Sequence, residues 1–176
     1  RRVYSERTVR NQWRNGWVSG GFTADCNFMA PAGSDGQQQW YTRNSHLEYG
    51  RGEFKEGSFN FMFQGVELGD KANGQTYLNN WETGGNVTFL PTTPVVREKP
   101  FLFMDDKGNY KVFRPALRRN AVGVSYSRTD MGEGETFDVN TDFFVASVGV
   151  SAKEINRQLQ LGKHILFQPG MYKLEE

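Results

Sequence analysis

The densest group of residues able to do recognisable chemistry is Gln37-Gln38-Gln39-Trp40, followed closely by Arg43 and Asn44. Amides and a guanidinium hydrogen-bond hydroxyl-rich ligands, and an indole offers a flat apolar platform for a pyranose face. On a strand, alternation sends Gln37, Gln39 and Tyr41 to one face and Gln38, Trp40 and Thr42 to the other. A binding surface and a buried amide ladder with Trp40 in the core both fit this pattern. Arg43 is costly to bury without a partner, which favours binding. The two histidines, His46 and His164, have neither metal-ligand spacing nor a cysteine partner, so no metal site is predicted. No serine stands in a nucleophile elbow, so triad chemistry is not expected, and no motif calls for a cofactor.

The elements that carry these residues must be strands. Twenty glycines, fourteen phenylalanines, seven tyrosines and four tryptophans among 176 residues favour pleated surfaces joined by tight corners. Candidate strands are Trp17-Val18-Ser19, Phe22 to Phe28, Gln38 to Thr42, Phe59 to Phe63 with Val66, and Val87 to Leu90. They are separated by glycine- and asparagine-rich corners. Residues 1–90 contain no amphipathic helix of useful length, which excludes alternating strand and crossover helix in that stretch.

The formal net charge is +1, from 21 basic and 20 acidic residues well mixed in sequence. No basic stripe suggests nucleic acid, and the cluster from Arg114 to Arg119 reads as solvated surface. Apolar runs reach only four or five residues, far short of the roughly 20 needed by a spanning helix. Cys26, the single cysteine, is predicted to be a small buried filler, with a bridge to a residue outside the chain as the alternative. Asn86-Val87-Thr88 is a glycosylation sequon. The Arg1-Arg2 start, without an initiator methionine, reads as a processed or excised end.

Residues 91–100 hold three of the six prolines and mark a stiff connector. A hairpin follows, Phe101 to Met104 and Tyr110 to Phe113, with Gly108 supplying the positive φ of its loop. The acidic stretch from Asp130 to Glu135 lacks calcium-loop spacing and reads as a solvated turn. One helix is predicted, Ser151 to Leu161, with a Ser151/Glu154 capping box, Ile155 and Leu159 on one face, and Gly162 to end it. It leads into the strand Lys163 to Phe167 and the turn Gln168-Pro169-Gly170. The domain reading is therefore 1–90 as coils, 91–142 as a connecting segment with a hairpin, and 143–176 as a capping helix and one further coil. Its apolar faces call for a partner, the remainder of a cleaved precursor or another subunit.

Two resemblances support this organisation. Asn156, Leu159, Gly162-Lys163, Ile165 to Phe167, Pro169-Gly170 and Tyr172 resemble the opening coil of pectin-lyase-like, right-handed parallel β-helix proteins; Val150-Ser151 departs from the usual acidic residue and threonine. Ser19-Gly20-Gly21-Phe22, Asp25, Gly36-Gln37-Gln38-Gln39-Trp40, Thr42-Arg43-Asn44 and the connector Val95 to Pro100 are similar to exo-β-1,3-glucanases built from two tandem β-helices (glycoside hydrolase family 55). The resemblance implies an all-β fold spanning the end of one β-helix and the start of a second, an extracellular protein, and a polysaccharide or oligosaccharide partner.

It also places the general acid on the second helix, beyond Glu176, so the catalytic residues stay unassigned and enzymatic activity of this chain stays open. Substrate-binding candidates are Asp25, Gln37, Gln39, Trp40 and Arg43. Asp25 stands out because it follows the glycine-rich strand entry, although an aspartate there more often satisfies backbone groups of a turn. A non-catalytic structural or filament scaffold is the alternative to a glycoside hydrolase.

Overall fold

The computed structural model describes residues 1–10, 20–33, 39–50, 60–72 and 87–174. The chain forms two compact units, Arg1–Glu98 with Leu117–Glu133, and Lys99–Ala116 with Gly134–Glu176. The expected strand at Trp17-Val18-Ser19, the sequon's Asn86, and Gln37 and Gln38 lie outside the described residues.

The first unit opens with Tyr4–Ser5 (β1), Val9–Arg10 (β2), Gly21–Ala24 (β3), Asn27–Phe28 (β4) and Ala32–Gly33 (β5). Trp40–Arg43 (β6), His46–Leu47 (β7), Phe61–Gln64 (β8), Glu67–Leu68 (β9) and Val87–Leu90 (β10) continue it. All pairings among these strands are parallel. One sheet runs β10-β8-β6-β3, a second β1-β4-β7-β9, and β2 pairs with β5. The chain thus passes from sheet to sheet and returns one rung along, which is the parallel β-solenoid expected from the sequence.

Register explains the core. Gly21, Trp40, Phe61 and Val87 lie in one row, and Thr23, Thr42, Phe63 and Phe89 in another. These rows face inward, where Cys26, Phe28, Leu47, Phe61, Phe63, Val66 and Val87 form a continuous apolar cluster with Trp40 packed against it. Full burial of such side chains is worth about 1.5–3 kcal/mol each. Cys26 is indeed a buried filler, its Sγ 3.2 Å from the Ala24 carbonyl oxygen.

Two expectations are corrected here. The run Phe22 to Phe28 is not one strand: it breaks at Asp25, whose φ of 53° turns a corner between β3 and β4. Alternation along the strands of residues 17–90 calls for alternate Phe and Trp side chains inside, but Phe22 stands on the outer face of β3 and is 39% exposed.

Beyond β10 run Thr93–Arg97 (β11), Phe101–Met104 (β12), Tyr110–Pro115 (β13) and Leu117–Ala121 (β14). β11 and β14 pair antiparallel within the first unit. In the second unit, β12 and β13 form the expected hairpin, and β13 also pairs antiparallel with Gly134–Asp138 (β15). Most of the supposed turn from Asp130 to Glu135 is irregular, but its end is this strand.

A short helix, Val139–Asp142 (α1), leads to Phe143–Ala146 (β16). Ala152–Gln160 (α2) then crosses to His164–Phe167 (β17), which lies parallel to β16. Ser151 caps α2 by accepting from the Glu154 amide at 3.2 Å. The Glu154 carboxylate bonds Arg157 and Gln158 rather than closing the capping box. At the other end, the Gly162 amide donates to Leu159 and the Lys163 amide to Gln158, a Schellman ending with Gly162 at φ 77°. Ile155 is buried, whereas Leu159 is 52% exposed.

Candidate functional site

The corners after β3, β6 and β8 are built from residues with positive φ: Asp25 at 53°, Asn44 at 44° and Gly65 at 56°. Asparagine and aspartate tolerate this left-handed conformation better than other residues with a Cβ. At Gly65 a Cβ would come within 2.5 Å of the Ala121 carbonyl oxygen, so only glycine fits. The segment from Ala121 to Ser125 lies along this column of corners. The Asn44 amide donates to the Ala121 carbonyl at 3.0 Å, the Gly123 amide to the Gly65 carbonyl at 2.9 Å, and Ser125 reaches Asp25.

Asp25 is consequently enclosed, 1% exposed. Its carboxylate accepts from the Ser125 amide at 2.6 Å, the Ser125 hydroxyl at 2.8 Å and the Arg2 guanidinium at 3.1 Å. These partners tie the first coil to the Ala121–Ser125 strap.

Of the other sequence candidates, Gln39 is exposed at the entry to β6. Trp40 turns inward: its indole lies against Gly21, where a Cβ would come within 2.2 Å of the ring, and its Nε1 is 3.4 Å from the Thr23 hydroxyl. Arg43 stands on the outer face and finds the partner that its burial requires. Its guanidinium donates to both oxygens of Glu98 at 2.7 and 2.9 Å and to the Asn44 side-chain oxygen at 3.0 Å. Arg43 and Glu98 are both deeply buried, at 11% and 4% side-chain exposure.

The outer face of the same sheet supplies what the sequence reading missed. Phe22, Tyr41 and Met62 are register neighbours across β3, β6 and β8. The Phe22 and Tyr41 rings sit 5.3 Å apart, and the Tyr41 hydroxyl donates to the Gln64 side-chain oxygen at 2.5 Å. Burial pushes the Tyr41 hydroxyl up from its ordinary value, opposed by the Arg43 charge and reinforced by Glu98. The Arg1 guanidinium lies 4.6 Å from the Phe22 ring centroid. Aligning the corners at 25, 44 and 65 would have found this row, because it puts Trp40 in phase with core Phe61 and Tyr41 in phase with Phe22.

The arrangement offers apolar ring faces, an exposed amide at Gln39 and a self-neutralised ion pair. That chemistry suits a neutral, hydroxyl-rich ligand. His46 lies between the carboxylates of Glu48 at 3.2 Å and Glu67 at 3.0 Å. Among the described residues no group of His, Cys, Asp and Glu could hold a metal ion.

No family model matches the chain. Over 161 residues, 92% of its length, it is 40% identical to an exo-beta-1,3-glucanase from Streptomyces sp. SirexAA-E. It is also similar to the solved structure of sacteLam55A from that organism, with TM-score 0.73, 41% identity and 89% of the chain covered. A substituted variant of sacteLam55A in complex with glucose matches with TM-score 0.76 at 37% identity over 97% of the chain. The resemblance to β-helix exo-β-1,3-glucanases read from the sequence therefore holds along almost the whole chain. The chain spans 24% of the curated relative and 26% and 28% of the two solved chains.

Proposed function

We propose that this chain is part of an extracellular β-glucan-type glycoside hydrolase. It contributes saccharide contacts and framework, while the catalytic acid lies outside residues 1–176. The observation that carries this reading is the 40% identity to an exo-beta-1,3-glucanase over 92% of the chain. The glucose bound by the similar sacteLam55A variant supports a saccharide partner.

Within the chain, the proposed contacts are Gln39, Phe22 and Tyr41, with Gln37, two positions before Gln39 in sequence, kept as a candidate. Asp25, Trp40 and Arg43 act behind them. Asp25 fixes a corner, Trp40 packs against the core and Arg43 locks to Glu98. Glycoside hydrolysis needs one carboxyl as acid and another as base or nucleophile. Asp25 and Glu98 are enclosed and bound to protein donors, so neither is free for that work. The same fact favours the second reading, a non-catalytic β-helix scaffold.

Assay of the full-length protein on laminarin and laminari-oligosaccharides, with cellulose and xylan as controls, separates the two. Release of glucose from the β-1,3-linked substrates alone is the expected result. A folded protein that neither binds nor cleaves them would leave the scaffold.

A further inference from the structure

In the second unit a cavity of about 270 Å³ opens between the β13/β15 sheet and the β16/β17 pair. Val112 and Phe137 form one wall and are register partners on β13 and β15. Phe143 and His164 form the other and are register partners on β16 and β17. The imidazole of His164 meets Phe137 edge-on at 4.9 Å and Phe143 at 5.1 Å between centroids. The ring is thus held by its faces and edges, while the residue as a whole is exposed. Arg114 also lines the cavity, with its guanidinium 4.8 Å from the centre of the Phe137 ring.

We infer that this cavity is a second saccharide site, taking one pyranose ring of a neutral glucan against the wall formed by Phe137, Phe143 and His164. The inference rests on the glucan reading given above, and four features carry it. The volume lies just below the range of about 300–1,000 Å³ that suits drug-sized ligands, which fits a single ring. Three aromatic rings present apolar faces and edges of the kind that pack on pyranose C–H groups. His164 and Arg114 bring hydrogen-bonding nitrogens to an otherwise apolar wall, which ring hydroxyls can use. Charge selects a neutral ligand over an acid, because the Arg114 guanidinium is already paired with Glu135 at 2.5 Å.

The test uses the full-length protein, titrated with glucose, laminaribiose and glucuronate while the Phe137 and His164 ring resonances are followed by NMR, with Phe137 as the reporter in the His164 variant. Glucose and laminaribiose should shift these resonances saturably, with glucuronate weaker. Phe143→Ala and His164→Phe should each weaken glucose binding at this site about tenfold, the loss of roughly one good contact. His164→Phe keeps an aromatic ring and removes only the nitrogens, so it guards against mere unfolding. Laminarin hydrolysis is measured on the same samples. Hydrolysis with no movement of the His164 signals overturns this site and leaves the glucan reading intact. Saturable shifts without hydrolysis uphold the site and overturn the hydrolase reading. Tighter binding of glucuronate than of glucose overturns the neutral-ligand assignment.

Discussion

Arg43 and Glu98 are both withdrawn from solvent and satisfy each other through two parallel hydrogen bonds. Removing one member leaves the other charged and enclosed, which costs about 3–5 kcal/mol. Glu98→Ala should therefore lower the stability measured by urea denaturation by about that amount, whereas Arg43→Met with Glu98→Leu should recover most of it. The pair was only half visible in the sequence. The need for a partner follows from Arg43 itself, but the partner lies 55 positions away within the proline-rich connector, with no local signal. Asp25 was easier to read, since short polar side chains favour turns, although Ser125 could not be foreseen as its partner. A second residue-scale expectation concerns Tyr126. Burial pushes its hydroxyl up to about 12, with Cys26 and Asp25 adding in the same direction. Between the ordinary value near 10 and about 12 the unfolded chain loses this proton while the folded chain keeps it. Stability should thus be insensitive to this group below about pH 10 and fall as pH rises above it. Tyr126→Phe should lack that component in a urea series across the same range.

The elements divide according to how local their determinants are. The hairpin β12–β13, the strand Val87–Leu90 and the helix α2 were all legible because turn, alternation and cap signals lie within a few residues of them. The corner at Asp25 was not legible from alternation, since Phe22 to Phe28 reads as a continuous strand unless coils are aligned. For α2, Ser151 supplies the side-chain cap, and Ser151→Ala should cost about 1 kcal/mol by thermal or urea denaturation. Glu154 follows a different rule. The hydrogen bonds from Arg157, then Gln158, hold its carboxyl down at about 2. Its ionised form supports the helix at and above the ordinary carboxylate range, and that support is lost as pH falls towards about 2. A carbon-detected NMR titration of Glu154 should show this low midpoint, and Arg157→Ala should raise it.

At the scale of the molecule, the two units provide a test of how damage spreads. The atoms that crowd Gly65, from Ala121, Asn44 and Thr93, belong to the same unit as Gly65. Gly65→Ala adds the strain of a left-handed residue, about 1–2 kcal/mol, to a backbone clash. A loss of about 2 kcal/mol or more is expected in thermal unfolding. Hydrogen exchange should quicken in β3, β6, β8, β10 and β14 before it changes in β12, β13 and β15 to β17. The solenoid was legible at this scale from strand-length apolar runs, glycine corners and missing crossover helices. The helical crossover between β16 and β17 shows that the same composition also admits another way of joining parallel strands.

The strap from Ala121 to Ser125 has a consequence for how the chain reaches its native state. Successive coils of a solenoid resemble one another, so a coil can stack on the wrong neighbour and still bury apolar rows. The corners differ, however: an acid at 25, an amide at 44 and a bare backbone at 65. The strap matches them one by one, with a hydroxyl, a carbonyl and an amide. It comes from far along the chain, 100 positions from Asp25, so closing that loop is entropically slow and must await stacked coils. Coils threaded one turn out of place would present the strap with the wrong sequence of corners and leave buried polar groups unmatched. The strap therefore favours the correctly wound chain, whose corners alone satisfy all three of its contacts.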